Sequence, residues 1–494
     1  MLVYKIHPAI GVARVGNSLD AFFVGPEKPG DPGVEIAADG TEAAVGKYKA
    51  AGQIKRQAAR FRVFEYDQDP LTQLLTLKRE ITSKEAKIEW KVDLVNRKAA
   101  LDHRPDQGID PQVAPRPRNT GIVGAARNGL VIRGLNDPLP TISGENTPAL
   151  KLDKGKFLGK SVYLGELRTD KLGRLIVLGG RGDSASVPPH APLPHFANND
   201  LWHDDVGDGP VTARIAFPGQ PAKDVDSPAW VTVAPPDFAP GIGGVVALHD
   251  VAFQAAIAGG FAKPAAKPSF RRHILPVIQR ASNLRFVHQF PLWDTLPRNF
   301  AALAKTDPAA ASLRGQVFDA LMPPGIGDRF RNAIIPDFLQ QYFAQYKAGD
   351  FVSDLADPLP ATTVPDDLDR AALEACVGLN FFPGIEASLN LRHKELYAEA
   401  FRIDHGAAEV SPGFLTEIMA VPWQADFLDC NNAEWWPSQR PDILMQDASN
   451  IPGSQAEWAA GLNSHEDMVA QFGTRSFVVP QTVGGKTVFV RESP

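Results

Sequence analysis

The sequence has only two cysteines, Cys376 and Cys430, among its 494 residues. Two cysteines are too few for a disulfide framework, and a chain of this length buries a large core without covalent staples. The sequence also lacks a long run of like charge, and its formal net charge is −6. The electrostatic footprint expected for binding nucleic acid or an anionic membrane surface is therefore missing.

Targeting and membrane signals are also missing. Residues 1–8 show no basic region followed by an apolar core, so they do not resemble a secretory signal. The best apolar stretch, residues 251–262, is about a dozen residues long, which is too short to span a bilayer. The sequence therefore predicts a soluble, cytoplasmic protein with no membrane partner.

No nucleotide-binding fingerprint occurs in the chain. The nearest glycine cluster, residues 241–244, lacks the spacing of a phosphate-binding loop. What the chain has instead is much proline, 43 residues, and nearly as much glycine, 42 residues. This composition favours many short elements joined by stiff, ordered loops over long helices.

Hydrophobic periodicity changes from strand-like in the first half to helix-like in the second. Strands are predicted at 88–95, 162–167, 174–178 and 211–217, with the second and third joined as a hairpin. Helices are predicted at 250–261, 328–347 and 367–376, and loops at 346–366 and 437–455. Strands first and helices later indicate an α+β fold, in which a β-rich N-terminal half with antiparallel strands packs on a more helical C-terminal half. We divide the chain into a β-rich domain at 1–240, a connecting region at 241–330 and a helical domain with the candidate site at 331–494.

Several long sequence blocks follow one another in a fixed order from end to end of the chain. They lie at 6–17, 22–27, 54–64, 164–180, 198–211, 381–386, 422–430 and 435–442. Together they resemble the family of amino-acid oxidases built around a protein-derived cysteine tryptophylquinone, the L-lysine epsilon-oxidase and glycine oxidase family. The resemblance implies a cysteine sulfur bonded to a tryptophan whose indole is oxidised to an ortho-quinone. It also implies oxidative deamination of a small-molecule amino acid, release of hydrogen peroxide, and a flavoprotein partner that completes the modification.

The block Pro422-Trp-Gln-Ala-Asp-Phe-Leu-Asp-Cys430 carries the candidate cofactor site. Pro422 can begin a short helix, because its missing N–H is no loss in the first turn. Asp426 and Cys430 then lie on one helix face, with Cβ atoms about 5–6 Å apart. A carboxylate there could accept protons as the thiol and the indole react, and the resemblance implies the same aspartate-to-cysteine spacing. The alternative is a cysteine packed in the core and an aspartate in a cap or an ion pair.

Trp458 is the predicted tryptophan partner of Cys430. It follows the cysteine after a loop, containing proline and glycine, that is long enough to turn the chain back. Trp435 and Trp436 are expected to have packing roles, the commoner fate of paired aromatic residues. The chain departs from the resemblance at Phe472, where family members often have a tryptophan, because phenylalanine cannot form an indole quinone.

Two other functions stay open. One is a quinone-free homologue with a binding, maturation or structural role. The other is a metal-dependent hydrolase that uses a polar loop with candidate ligands His190, His195, His203, Asp204, Asp205 and Asp208. No tight ligand motif is present, so we predict no metal and interpret the loop as one that shapes a pocket or an interface. Cys376, on a helical stripe typical of a core, is the fallback sulfur. The sequence leaves the oligomeric state open, including a homo-oligomer.

Overall fold

The computed structural model describes residues 1–37, 39–103, 116–323, 335–378, 388–429 and 438–493. Cys430, Trp435, Trp436 and the block at 381–386 lie outside these residues. Within the described part, strands predominate up to residue 234 and helices from residue 248 onwards. The predicted α+β fold is therefore confirmed, whereas the division of the chain into three regions stays a prediction.

The first half contains twenty-two strands within the described residues. In chain order they are β1 (Leu2–His7), β2 (Ile10–Arg14), β3 (Phe22–Val24), β4 (Val34–Ile36), β5 (Glu42–Ala44), β6 (Lys49–Ala50), β7 (Gln53–Ile54), β8 (Arg56–Gln68), β9 (Leu75–Ile81), β10 (Lys87–Val92), β11 (Val95–Asn96), β12 (Ile132–Arg133), β13 (Leu150–Leu152), β14 (Lys156–Phe157), β15 (Lys160–Ser161), β16 (Gly165–Thr169), β17 (Leu175–Gly179), β18 (Ala185–Ser186), β19 (Trp202–His203), β20 (Asp208–Ala216), β21 (Lys223–Asp224) and β22 (Ala229–Ala234). Sixteen of them form one large sheet, whose central path runs β12-β11-β20-β22-β2-β8-β17-β16-β13.

The strand predictions are largely confirmed. In β10, Ile88, Trp90 and Val92 are buried, as period-2 alternation predicts. The predicted hairpin is β16 and β17, and Asp170 closes its turn by accepting hydrogen bonds from the backbone N–H groups two and four residues later. Most strand pairs of the sheet are antiparallel, as predicted, and β2–β22 and β3–β8 pair in parallel.

The second half contains ten α-helices and six further strands within the described residues. The helices are α1 (Leu248–Ala258), α2 (Leu275–Asn283), α3 (Leu292–Thr295), α4 (Phe300–Leu303), α5 (Ala311–Leu321), α6 (Asp337–Ala348), α7 (Val364–Glu374), α8 (Ser388–Leu391), α9 (Trp423–Asp429) and α10 (His465–Gln471). The strands form the hairpins β23 (Tyr397–Glu399) with β24 (Arg402–Ile403), β25 (Ile443–Met445) with β26 (Gln455–Glu457), and β27 (Val478–Val483) with β28 (Lys486–Arg491). A π-helix, Phe270–Ile274, precedes α2.

Helix boundaries differ from the predicted ones for local reasons. Helix α7 begins at Val364, because the Thr363 side chain caps it by accepting a hydrogen bond from the Asp366 N–H. It ends at Glu374, so Gly378 is not its stop. The predicted loop at 437–455 contains β25 and the start of β26. Among the described residues, no helix has the length and apolar character needed to cross a membrane.

Candidate active site

Helix α9, which leads to Cys430, is anchored at its first residue by the carboxylate of Asp204. The Trp423 N–H donates to Asp204 Oδ2 over 3.2 Å, so a negative charge sits at the positive end of the helix. Lys98 Nζ donates to the same oxygen over 2.7 Å and to the Ala420 carbonyl over 2.9 Å. The Lys98 and Asp204 side chains are both fully buried. This ion pair ties the segments that follow β11 and β19 to the start of α9.

The other end of α9 is held by Arg440, which lies in the block at 435–442. Arg440 Nε donates to the Phe427 carbonyl over 2.6 Å, and Nη2 donates to the Leu428 carbonyl over 3.2 Å. A cation therefore satisfies backbone carbonyls at the negative end of the helix. Arg440 is 1% exposed and also pairs with Asp442 over 2.8 Å. Both ends of this short helix are thus fixed by buried charges of the favourable sign.

Asp426 lies in the middle of α9 and is 2% exposed. The predicted helix is confirmed here, beginning directly after Pro422. The position of the Cys430 sulfur relative to Asp426 lies outside the described residues, so their shared face stays a prediction.

Trp458 lies near the C-terminal end of α9, not across the fold from it. Its indole N–H donates to the Ser476 carbonyl over 2.9 Å, and the side chain is 2% exposed. The Arg440 guanidinium carbon lies 5.2 Å from the centre of the Trp458 ring. Phe238 packs edge-on against that ring at 4.9 Å and against Phe427 of α9 at 6.2 Å. Arg440 and Phe238 therefore each contact both the Trp458 ring and α9.

Phe472 occupies a different place, beside the first turn of α9. Its ring meets Trp423 edge-on at 5.3 Å and fills the space where a Cβ on Gly182 would lie. Gln424 holds the Gly182 backbone against α9, because its side-chain amide donates to the Gly182 carbonyl over 2.8 Å. Trp423 is buried, and its indole N–H has no hydrogen-bond partner among the described residues. Trp423 and Phe472 thus pack with each other at the start of the helix.

Cys376, the fallback sulfur, belongs to the hydrophobic core and is 3% exposed. Its thiol donates to the Ala372 carbonyl over 3.2 Å, and the Arg14 guanidinium lies 3.5 Å from the sulfur. These contacts fit the packing role that its helical stripe predicts.

The polar loop that contains the candidate metal ligands uses its carboxylates to bind protein groups. Asp208 accepts hydrogen bonds from the Trp230 indole and from the backbone and hydroxyl of Thr416. Asp205 accepts two backbone N–H bonds, and burial raises its pKa well above the usual range. His195 Nδ1 accepts two backbone N–H bonds, and His190 is exposed. Across the described part of the chain, no group of three or more potential ligands is placed to hold a metal ion.

His203 of this loop makes the stability of the protein sensitive to acid. It is 3% exposed, neither ring nitrogen has a partner among the described residues, and burial lowers its pKa to about 4 from 6.5. Between these two pH values the unfolded state binds more protons than the folded state, so stability falls as the pH is lowered.

We expect His203→Phe to reduce the stability lost on acidification by on the order of 2 kcal/mol between about pH 7 and about pH 4.5. A phenyl ring keeps the contact with Phe157, whose ring centre lies 5.1 Å from that of His203. Urea unfolding at the two pH values measures the difference. His103→Phe, at an exposed histidine, is the control and should leave the acid loss unchanged. An equal acid loss in His203→Phe and the unaltered protein would contradict the prediction.

Three residues that shape this site were not predicted as site residues: Lys98, Arg440 and Phe238. Arg440 was detectable in principle, since it lies in one of the quoted blocks and an arginine among prolines and tryptophans needs an acceptor when buried. Lys98 and Phe238 carry no such signal, because their partners are distant in sequence.

Two protein-family models match the chain. The N-terminal region of L-lysine epsilon oxidase matches residues 7–233, and the C-terminal domain of L-lysine epsilon oxidase matches residues 331–451. Asp426 and Arg440 fall inside the second match, and Trp458 lies just beyond it. Together the two matches cover well over half of the chain.

Relatives and solved structures agree with these matches. L-lysine 6-oxidase of Marinomonas mediterranea is 27% identical, over 97% of this chain and 87% of that protein. The crystal structure of the L-Lys epsilon-oxidase from the same organism superposes with a TM-score of 0.79 at 22% identity, covering 99% of this chain and 94% of that one. A structure of the Schiff base intermediate of that oxidase with L-Lys superposes equally well, also with a TM-score of 0.79. These superpositions show a shared fold.

Proposed function

Because the chain belongs to the L-lysine epsilon-oxidase family, we propose that it is an amino-acid oxidase whose redox group forms from Cys430 and Trp458. The overall reaction converts an amino acid, dioxygen and water into an oxo product, ammonia and hydrogen peroxide. Two electrons and two protons pass from the substrate amine and its carbon to dioxygen. The resemblance further implies a flavoprotein partner, which would use dioxygen to complete the modification.

The observation that carries this proposal is a buried carboxylate on a helix whose two ends are both fixed. Asp426 is 2% exposed, Asp204 anchors the first residue of α9, and Arg440 binds its last carbonyls. A proton acceptor works best when its distance to the reacting group is held constant. Asp426 is therefore proposed to accept protons while the thioether and the quinone form, with substrate deprotonation as a second role.

The surroundings of Trp458 support it as the oxidised residue. The hydrogen bond to the Ser476 carbonyl engages the indole N–H. It does not involve the six-membered ring of the indole, where cross-linking and oxidation would take place. Arg440 contacts both this ring and the end of the helix that precedes Cys430 in the chain, so one guanidinium joins the Trp458 ring to α9. The same guanidinium would balance negative charge on ring oxygens. These residues fit a quinone at Trp458.

When formed, the quinone supplies an electrophilic carbonyl and an electron sink. The chain itself supplies the enclosure. Trp458 and Asp426 are both almost fully buried, and Phe238 covers one side of the indole. Exclusion of water strengthens the electrostatic interactions of Asp426 and Arg440 and protects a reactive group from hydrolysis.

Mass spectrometry of protein made together with its flavoprotein maturation partner tests the proposal. Cross-linking and oxidation add two oxygen atoms and remove four hydrogen atoms, so the intact mass should exceed the encoded mass accordingly. Digestion should then give one linked species that contains both Cys430 and Trp458, and hydrogen peroxide should appear when amino acids are supplied.

Two tryptophan variants sharpen this test. Trp458→Phe should give protein of the encoded mass, apart from the substitution, and no peroxide. Trp423→Phe, in the same region but without a hydrogen-bonded indole N–H among the described residues, should keep the modification. A linked species that contains Trp435 or Trp436 would overturn the assignment to Trp458 while leaving the oxidase proposal intact. The encoded mass after coexpression would favour the quinone-free alternative.

A further inference from the structure

A cavity of about 350 Å³ lies between α1, α2, α6 and α7, beside the π-helix at Phe270–Ile274. Its volume falls in the range of about 300–1,000 Å³ that is typical of small-molecule sites. Among the described residues that line it, none belongs to α9 or to the hairpin that precedes Trp458. The cavity is therefore a place in the fold that the proposed oxidase chemistry does not use.

One wall of the cavity is aromatic. Phe253 and Phe401 are nearly parallel, with an angle of 13° between their rings, and Phe338 meets Phe253 edge-on at 5.0 Å. Phe338 is 7% exposed, and Leu339 beside it is 2% exposed. Such a wall favours a flat or bulky apolar group, because burying apolar surface gains roughly 25 cal/mol per Å².

Two hydrogen-bond donors that line the same cavity lack acceptors among the described residues. The Arg272 guanidinium makes no hydrogen bond or ion pair with them, and it is only half-exposed. His273 Nδ1 accepts the Ser269 N–H over 2.9 Å, so its hydrogen lies on Nε2, which also has no acceptor there. Burial, helped by Arg272 and Arg370, lowers the pKa of His273 to about 4, so the ring is neutral near pH 7. The Arg272 guanidinium and the Nε2–H group of His273 could therefore both donate hydrogen bonds to one bound anion.

The carboxylates that line the cavity interior already have partners. Asp250 pairs with Arg280 over 2.9 Å, Asp369 pairs with His7 over 3.0 Å, and Glu374 pairs with Arg370 over 2.7 Å. Asp366 and Asp367, nearer to solvent, accept hydrogen bonds from the hydroxyls of two threonines at the start of α7. Of the three arginines that line the cavity, Arg280 and Arg370 have these carboxylate partners, and Arg272 has none among the described residues.

We propose that this cavity binds a small carboxylate with an aromatic or bulky apolar body. The carboxylate accepts hydrogen bonds from Arg272 and from His273 Nε2, and the apolar part of the ligand packs against Phe253 and Phe338. Arg272 provides the planar pair of N–H groups that matches a carboxylate. The proposal needs neither the quinone nor the oxidase reaction, so it stands or falls separately from them.

Isothermal titration calorimetry with three matched probes tests this site on the full-length chain. Phenylpropanoate, phenylpropanol and phenylpropylamine share one body and differ only in the head group. Phenylpropanoate should bind roughly ten- to hundredfold more tightly than the other two, as expected for hydrogen bonds to a charged group. Arg272→Met should remove that advantage, and Arg272→Lys should keep part of it, because lysine retains the charge without the planar fork.

Arg271→Met is the matched control. Arg271 lies on the same π-helix, but its guanidinium donates to the Asp357 carbonyl and does not line the cavity. This variant should bind phenylpropanoate as the unaltered chain does. Three results would overturn the proposal: equal binding of all three probes, tightest binding of phenylpropylamine, or an equal loss of phenylpropanoate affinity in Arg271→Met and Arg272→Met. Competition by inorganic phosphate as effective as that by phenylpropanoate would also overturn it, because the aromatic wall would then contribute nothing.

Discussion

Asp426→Asn is expected to lower hydrogen peroxide production by at least about a hundredfold, the scale of a lost general acid–base group. Asparagine keeps the size and one carbonyl oxygen of aspartate, so packing inside α9 should be little changed. It cannot take up the protons that leave the thiol and the indole as the cross-link forms. The variant should therefore accumulate as folded protein of the encoded mass, apart from the substitution itself.

Intact mass, peroxide yield and thermal unfolding of the same preparation separate a chemical defect from a folding defect. Asp429→Asn is the matched control on the same helix. The Asp429 side chain pairs with His465 over 3.0 Å and is 49% exposed, so it lies at the protein surface. We expect Asp429→Asn to mature and to turn over. Normal maturation of Asp426→Asn would show that the carboxylate has no part in forming the cofactor, and unfolding of that variant would point to a structural role instead.

Local patterns in the sequence were enough to predict the elements that depend on local forces. Residues 88–95 alternate because one face of β10 packs in the core, and the hairpin closes because Asp170 and Gly173 satisfy its turn. The short helix after Pro422 was predicted in the same way, from a proline that suits a first turn. The sequence alone therefore places Asp426 on a helix.

Pairings between distant segments could not be predicted in this way. Strands β2 and β22 are more than two hundred residues apart and pair in parallel, which no local period encodes. The Asp204 carboxylate could equally bind a metal or a cation, and the choice depends on Lys98, which tertiary folding alone brings to it. Trp458 was selected from loop length, yet its link to α9 runs through Arg440, a contact that loop length cannot reveal.

Lys98→Met is expected to destabilise the protein by about 3–5 kcal/mol, the cost of leaving one member of a buried ion pair without its partner. Lys98 and Asp204 are both fully buried and 2.7 Å apart, and burial lowers the pKa of Lys98 while Asp204 opposes that change. Urea unfolding near neutral pH measures the loss. Lys87→Met, which breaks the exposed pair with Glu89, is the control and should cost less than about 1 kcal/mol.

A second substitution identifies the cause of that loss. Asp204→Asn in the Lys98→Met background removes the buried carboxylate charge that has lost its partner, so part of the stability should return. The double-mutant cycle should show strong coupling between the two sites. Recovery should be incomplete, because the carboxylate also accepts hydrogen bonds from Asn96 and from the Trp423 N–H. Since that N–H begins α9, the double variant should regain stability without regaining full peroxide production. Equal costs for Lys98→Met and Lys87→Met would mean that the pair neither stabilises the fold nor anchors the helix that carries Asp426.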